Sequence, residues 1–589
     1  MRIAVVLKDK CQPRKCFYEC IKYCPPMRNG IAVLEKGERG KVSISEELCM
    51  GCGICVHKCP FGAIKIIQLP EALTHDLIHQ YGLNGFRLFR LPVPIKGQVV
   101  GILGPNGIGK STIFSVLSNQ LVPNLGDIEH PADWAKVLEK YAGTEVFNYL
   151  DPLSRGKLKV ALKPQYVDKI PAGFKGVVKD LLMKLDDSGK LDEIVAQLTL
   201  EKFLDRPLAN LSGGELQRVA VAATVLKDAD VYLFDEPSSY LDIFQRLKIA
   251  RIIQEKAKER FVMIVEHDLA ILDFLADTVY LMYGSEGAYG VVAQPRGVRS
   301  AINTHLEGMM KEENIRFRDT AIEFSPKPPR DEGDRPIFVT IPPLVKRFKG
   351  FTLTVEGGEI HHGEVVGVLG PNATGKTTLV KMLAGIELPD EGMIEFKVKV
   401  SYKPQYIKPE FEGTVEELVQ TTLGAMVDDM LYKAEIERPM RVPEIYHKDV
   451  NGLSGGELQR LSIAMALARE ADLYLIDEPS AYLDANQRME AAKCIRRVIE
   501  KKGRPALIVD HDVYFIDLVS DSIMVFSGVP SVKGVAKGPF GLREGMNAFL
   551  KDINITFRRD GDTNRPRINK MDSRLDREQK TSGEYYYSK

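Results

Sequence analysis

A lysine, a hydroxyl, two adjacent carboxylates and a histidine recur in the same order twice along the chain, an order suited to breaking a phosphoanhydride bond. The first copy reads GPNGIGKS (104–111), KPQY (163–166), LSGGELQR (211–218), VYLFDEP (231–237) and EHD (266–268). The second reads GPNATGKT (370–377), KPQY (403–406), LSGGELQR (453–460), LYLIDEP (473–479) and DHD (510–512). Each glycine-rich segment follows an apolar strand and opens a helical run, so its backbone N–H groups can wrap phosphate oxygens at a helix N-terminus. Asn106, Gly107, Gly109, Lys110, Ser111 and Thr112 are expected to bind ATP in the first copy. Asn372, Ala373, Thr374, Gly375, Lys376, Thr377 and Thr378 are expected to do so in the second. Lys110 and Lys376 should reach the β/γ-phosphates, while Ser111, Asp235, Thr377 and Asp477 supply Mg²⁺ ligands. Glu236 and Glu478 come next, placed to polarise the attacking water as general base. His267 and His511 are placed to sense the γ-phosphate and join the catalytic set. Gln165 and Gln405 are placed to contact Mg²⁺ or the water. One such element alone is weak, but five in the same order, twice, leave little room for coincidence.

Eight of the nine cysteines fall within residues 11–59. Cys49, Cys52, Cys55 and Cys59-Pro60 form C-x2-C-x2-C-x3-C-P, a ferredoxin run whose fourth cysteine ligates the other of two cubane clusters. A looser partner run stands upstream at Cys11, Cys16, Cys20 and Cys24-Pro25. The expected ligand sets are therefore Cys49, Cys52, Cys55 with Cys24, and Cys11, Cys16, Cys20 with Cys59. Zinc and disulfides are the competing readings; zinc usually takes widely separated C-x2-C pairs, and a reducing cytosol disfavours disulfides. Cys494 has no partner in sequence and reads as a core residue. Residues 1–28 carry seven Lys/Arg against Asp9 and Glu19, an excess that suits anionic clusters or RNA phosphate equally.

These residues need scaffolds, and the repeat supplies two. From P-loop to KPQY glutamine the first copy spans 61 residues and the second 35, so the first carries about 26 extra residues. They are placed near 131–157, where Trp134, Leu138 and Tyr141, then Val146, Phe147 and Leu150, have helical spacing around Ala142-Gly143. The reading is a helix–loop–helix with Lys136, Lys140, Arg155 and Lys157 favouring a docking role for RNA or protein. After each histidine motif another pair repeats, 297–318 and 541–559, with Gly297/Gly541, Arg299/Arg543 and Asn303/Asn547 in register. Arg316 and Arg318 beside Phe317, and Arg558 and Arg559 beside Phe557, suit a hinge joining the halves. Tyr81 and Phe86, with Phe351 or Phe348, are the aromatics favoured for adenine stacking.

The bulk numbers agree with several globular domains. The chain has 589 residues, 44% of them hydrophobic, with 80 Lys+Arg balancing 80 Asp+Glu. That balance argues against a uniformly basic nucleic-acid coat. No run approaches the length of a membrane span, and the N-terminus lacks a signal-peptide pattern, so a cytoplasmic location is expected. The tail after Arg559 has few apolar anchors and is expected to be partly disordered. The expected division is 1–70 iron–sulfur domain, 71–290 first nucleotide-binding domain, 291–335 hinge, 336–535 second nucleotide-binding domain, and 536–589 second hinge and tail.

LSGGELQR resembles the signature of ATP-binding-cassette (ABC) domains, in which one domain's signature caps the ATP held by the other's P-loop. The resemblance implies that Ser454, Gly455 and Gly456 close the Lys110 site, and Ser212, Gly213 and Gly214 the Lys376 site. The D-loops SSYLD (238–242) and SAYLD (480–484) would lie between the sites and couple them. The whole layout, including RPRINK (565–570), is similar to ABC subfamily E, the RNase L inhibitor-like ribosome-recycling ATPases of archaea and eukaryotes. The implied fold is α/β, with twin ABC-type P-loop nucleotide-binding domains preceded by a small α+β two-cluster ferredoxin-like domain. The implied cofactors are ATP, Mg²⁺ and two [4Fe-4S] clusters. The implied activity is ATP-driven splitting of ribosomes, with a release or rescue factor, by a monomer that pairs its own ABC domains. It stays on the small subunit, its rRNA and proteins, until hydrolysis, with initiation factors as further partners. Both glutamates are present, so both sites are expected to hydrolyse ATP, with asymmetry from Ile108 against Thr374 and Ser111 against Thr377.

Three other classes compete. A transporter subunit would need membrane partners and leaves the ferredoxin domain unexplained. A DNA-repair or cohesion ATPase would need coiled coils between P-loop and signature. An ATP-gated iron–sulfur electron-transfer protein is the serious rival, since paired cubane clusters usually carry electrons, yet the chain has no flavin or nicotinamide fingerprint.

Overall fold

VVGIL (Val99–Leu103) and VVGVL (Val365–Leu369) are unbroken apolar runs, the pattern of a strand covered on both faces. Each lies inside a sheet with every residue buried. The computed structural model describes residues 2–69, 71–318, 321–324, 336–394, 398–405 and 411–586. Among them each half builds an eight-stranded sheet with the same strand order. In the first, Phe261–Val265 pairs parallel with Val99–Leu103 and with Val231–Asp235, which pairs in turn with Val160–Lys163. In the second, Ala506–Val509 pairs parallel with Val365–Leu369 and Leu473–Asp477, followed by Val400–Lys403. The parallel strands thus deliver both P-loops and both Asp-Glu pairs to one sheet end, where ligands bind in open α/β folds. Helices Trp134–Lys140 and Glu145–Ser154 make up the first-half insertion. Three of its basic residues have internal partners: Lys136 pairs with Asp127, Lys140 donates to the Leu77 carbonyl, and Arg155 pairs with Asp151.

The cysteine-rich segment is a separate small layer. Arg2–Val6 pairs antiparallel with Ile64–Gln68, and Leu34–Lys36 with Val42–Ile44. Ala4, Val6, Val33, Leu34, Val42, Ile44 and Ile64 form its core with Cys20, Cys24 and Cys55. Asn84 fastens this layer to the first half. Its side chain accepts from the Ile44 N–H at 2.7 Å and donates to the Ala4 and Ile44 carbonyls at 3.0 and 2.9 Å. Lys65 donates to Ser285 Oγ and the Glu286 carbonyl.

The tail departs from its expected disorder. Pro566–Ile568 pairs with Phe557–Arg559, and Arg574–Ser582 is helical with Ser573 as N-cap. Polar composition concealed ionic anchors, which act beside the buried Ile568, Tyr585 and Tyr586. Arg565 is fully buried and donates to Asp273 Oδ2 at 3.1 Å, Tyr514 OH at 2.8 Å and Asn303 Oδ1 at 3.1 Å. Arg567 adds a two-point pair with Asp273 at 2.6 and 3.0 Å. Arg299 meets Asp560 and Asp562, each at 2.8 Å. Arg318 reaches Asn486 of the second half, and Arg559 grips Asp517. Part of the expected first hinge, 319–320 and 325–335, lies outside the described residues.

Candidate active site and cluster sites

Gly109 and Gly375 stand immediately before the helices Lys110–Leu117 and Lys376–Leu383, at φ 95° and 97°. A Cβ there would lie 2.8 Å from the Phe86 ring and 3.1 Å from the Phe351 ring, so the aromatics flank the P-loops at equivalent points. Phe348 stacks on Phe351 with centroids 6.5 Å apart. Tyr81 is partly exposed, with its hydroxyl 3.3 Å from Thr112 Oγ1. Lys110 Nζ donates to the Gly104 and Pro105 carbonyls at 2.7 and 2.9 Å; Lys376 Nζ donates to Gly370 and Pro371, both at 2.8 Å. Burial pushes both lysines down, Lys376 to about 8. A desolvated ammonium gains strongly from an arriving phosphate.

Asp235 and Asp477 are the last residues of their strands. Burial, and then the adjacent glutamate, pushes Asp235 up to about 7 and Asp477 to about 6. Thr377 Oγ1 donates to Asp477 Oδ2 at 2.8 Å, while the buried Asp477 Oδ1 has no partner among the described residues. A hydroxyl, adjoining carboxylates and an unpaired buried oxygen suit a hard, oxygen-ligated cation such as Mg²⁺.

Glu236 and Glu478 both adopt φ 48°, a left-handed conformation that costs a non-glycine residue about 1–3 kcal/mol. The surrounding donors over-determine it. Lys163 Nζ reaches the Asp235 and Glu236 carbonyls at 2.8 and 3.1 Å, and Lys403 does the same for Asp477 and Glu478 at 2.7 and 3.2 Å. Gln217 and Gln459 donate to the two glutamate carbonyls at 2.6 and 2.7 Å. These four side chains were not singled out from sequence, although each sits inside a duplicated motif. Gln165 and Gln405, expected at Mg²⁺ or the water, each donate to Oε1 of the neighbouring glutamate at 2.7 Å. His267 Nε2 stands 3.6 Å from Glu236 Oε1 and 3.2 Å from Lys110 Nζ; His511 Nε2 is 3.4 Å from Glu478 Oε1. Burial and then Lys110 hold His267 well below its ordinary value, hence neutral. Burial opposes ionisation of Glu478, yet hydrogen bonding and charge from His511, with Gln405, outweigh it and hold it at about 2.

The halves share one cavity of about 1110 Å³. Asn106, Lys110, Gln165 and Glu236 line it together with Ser454, Gly455 and Gly456 of the opposite signature. The D-loop aspartates cross between halves: Asp242 Oδ2 accepts from the Asn372 N–H at 2.9 Å, and Asp484 Oδ2 from the Asn106 N–H at 3.2 Å. Ser212 and Ser454 cap the helices Gly213–Val225 and Gly455–Ala468 in capping boxes with Glu215 and Glu457. Each signature thus presents a rigid helix N-terminus, an arrangement that favours phosphate.

The cysteines also group across their runs. Cys11, Cys16, Cys20 and Cys59 line a common pocket. Burial pushes the Cys20 thiol up to about 12, and the thiols adding to that rise are Cys59, Cys16 and Cys11. Burial likewise raises Cys55 to about 11, assisted by Cys49, Cys52 and Cys24. Among the described residues no three His, Cys, Asp or Glu converge closely enough for a single metal ion. Four thiols around a shared space fit a multi-iron cluster that draws them into the thiolate form. Cys494 is buried, its thiol directed at the Glu435 carbonyl at 3.0 Å.

Family profiles match along the chain. "ABC transporter" matches residues 95–239 and 356–481, "Possible Fer4-like domain in RNase L inhibitor, RLI" residues 1–31, and "4Fe-4S binding domain" residues 42–65. The chain is 50% identical to a Methanocaldococcus jannaschii protein described as an uncharacterized ABC transporter ATP-binding protein, over 100% of this chain and 98% of that one. It is 45% identical to the Saccharomyces cerevisiae translation initiation factor RLI1, over 100% and 98% respectively. The chain belongs to the RNase L inhibitor family, ABC subfamily E. A solved structure described as a model of ribosome-bound archaeal Pelota and ABCE1 superposes with TM-score 0.95 at 51% identity, covering 100% of this chain and 99% of that one. As a family member, the protein is an ABC ATPase that uses ATP with Mg²⁺, and its N-terminal domain is built for two [4Fe-4S] clusters. Among the described residues no helix is long and apolar enough to cross a membrane.

Proposed function

We propose that this protein is an ATP-driven ribosome recycling factor that separates ribosomal subunits together with a release or rescue factor and remains on the small subunit until ATP is hydrolysed. The observation that carries the reading is full-length: one chain joins the cluster domain, both ABC halves and an ionic seam between them, and it superposes along its whole length on the ribosome-bound archaeal ABCE1. It works as a monomer in the cytoplasm, against the rRNA and proteins of the small subunit, with initiation factors as later partners.

In this reading Lys110 and Lys376 bind the β/γ-phosphates, and Ser111, Asp235 and Gln165, with Thr377, Asp477 and Gln405, hold Mg²⁺. When held there, Mg²⁺ would supply charge neutralisation for the phosphates. Glu236 and Glu478 take the proton of the attacking water, oriented by His267 and His511. Phe86 and Phe351, with Tyr81, stack the adenine. Ser454, Gly455 and Gly456 close the first site, and Ser212, Gly213 and Gly214 the second, so ATP draws the halves together and hydrolysis lets them part. The cysteine sets Cys11, Cys16, Cys20 with Cys59, and Cys49, Cys52, Cys55 with Cys24, each hold a cluster that makes the small domain a rigid lever.

The test is sedimentation of purified ribosomes with this protein, a rescue factor and ATP, beside the E236Q/E478Q double variant. Conversion of whole ribosomes to subunits by the parent, and retention of the variant on the small subunit, is the expected result. Robust ATPase activity without ribosome binding or splitting overturns it and leaves the electron-transfer reading to be tested by cluster-dependent reduction of an acceptor.

A further inference from the structure

The two active sites are duplicated almost residue for residue, and they differ at one position that touches the base. In the first D-loop, Ser239 Oγ donates to Glu236 Oε2 at 3.1 Å. With Gln165 on Oε1 at 2.7 Å, both oxygens of that carboxylate are held. The equivalent position in the second D-loop is Ala481. Glu478 keeps the Gln405 bond on Oε1 at 2.7 Å, but among the described residues nothing donates to its Oε2. A methyl group offers no hydrogen bond, so the difference is chemical rather than a matter of packing.

Ser239 also belongs to a loop that reaches the other site. Three residues further on, Asp242 accepts from the Asn372 N–H of the second P-loop at 2.9 Å. Between them Tyr240, at φ 64°, meets Tyr482, at φ 62°, edge to face across the seam with centroids 5.9 Å apart. The second D-loop reproduces the crossing half of this arrangement, since Asp484 accepts from Asn106. It lacks the final contact with its own glutamate.

We propose that Ser239 is a positioning residue for Glu236, tying the first-site carboxylate to the loop that grips the second P-loop, and that Ala481 leaves Glu478 without that tie. Movement of the second P-loop as nucleotide binds is carried through Asp242, Tyr240 and Ser239 to Glu236; the opposite route stops at Ala481. The asymmetry belongs to hydrolysis rates. Coupling of binding affinities between two sites is necessarily reciprocal, whereas coupling of kcat is not.

The proposal rests on the reading of Glu236 and Glu478 as general bases, and the test separates the two. Single-turnover ATP hydrolysis is measured on the full chain with Mg²⁺ in an E478Q background, where only the first site turns over, and in an E236Q background, where only the second does. S239A is expected to slow the E478Q protein by about ten- to a hundredfold, the worth of one hydrogen bond to a carboxylate. It should leave the E236Q protein and the ATP dissociation constants of both unchanged, and S239T should restore the rate. A481S should alter the E236Q protein and not the E478Q protein. Equal slowing of both backgrounds by S239A marks a merely structural serine and overturns the proposal, as does no effect in either. If E236Q and E478Q alone hydrolyse ATP at the parent rate, the general-base reading itself falls.

Discussion

Arg565 and Asp273 form a salt bridge, 3.1 Å from Nη1 to Oδ2, in which the arginine side chain is fully enclosed and the aspartate almost so. They lie 292 residues apart, one in the C-terminal segment and one in the first-half helix Leu269–Leu275, with Tyr514 of the second half on the same guanidinium. Removing one partner strands a buried charge, which costs about 3–5 kcal/mol. R565A and D273A are therefore each expected to lower the denaturation midpoint, and the R565A/D273A pair to cost less than the sum. Strict additivity in thermal or denaturant unfolding would show that the two do not act as a pair.

Asp235 and Asp477 give a pH dependence with a definite sign. Both are raised above their ordinary value of 3.8, Asp235 to about 7 and Asp477 to about 6, so the folded state holds protons that the unfolded state has released. Without Mg²⁺, stability should fall as pH rises from about 4 to about 7 and then level off. D235N should flatten part of that slope, and Mg²⁺ with ATP should bind more weakly as pH drops through the same window. A midpoint that rises with pH in chelator, after subtraction of the D235N profile, would contradict this.

The crossed cysteine sets make an unusual prediction for paired substitutions. C11S and C59S remove ligands of one cluster, so the double variant should retain half the iron. C11S and C24S come from the same run but different clusters, so that pair should lose both. Iron analysis with paramagnetic resonance of the reduced protein reads the result; the reverse pattern would assign each cluster to a single run.

Replacing Glu236 or Glu478 by Gln should reduce turnover at the affected site by about 100-fold or more while ATP binding persists, because the amide cannot accept the proton of water. Filter binding and single-turnover hydrolysis separate the two effects.

The sheets, the P-loops and the grouping of thiols were legible because each depends on local pattern: apolar strands, fixed motif spacing, a Cys-Pro ending. Residues whose role depends on long-range pairing were not. RPRINK carries a single large apolar residue, Ile568, and nothing near Arg565 in sequence indicates Asp273 or Tyr514 as its partners. Lys163 and Gln217 sit inside recognised motifs, yet their task is to satisfy the carbonyls of a left-handed glutamate, and that conformation cannot be read from composition. Gln165 shows the same limit, since its Nε2 donates to Oε1 of Glu236, a contact between two motifs that spacing along the chain does not reveal.

The seam closed by Arg565 and Arg567 has a bearing on how the molecule is made. Domains emerging from a ribosome fold in order, N-terminal first. Here the arginines that clasp the first half to the second are synthesised after both sheets, while their partner Asp273 is made well before them. Each half can therefore fold before this clasp exists, and an mRNA truncated shortly before codon 565 would yield both nucleotide-binding halves without it, joined by the D-loop crossings and the Arg318–Asn486 contact. Synthesis through residue 567 is, for this chain, the step that adds the buried ionic clasp to the contacts already made between the halves.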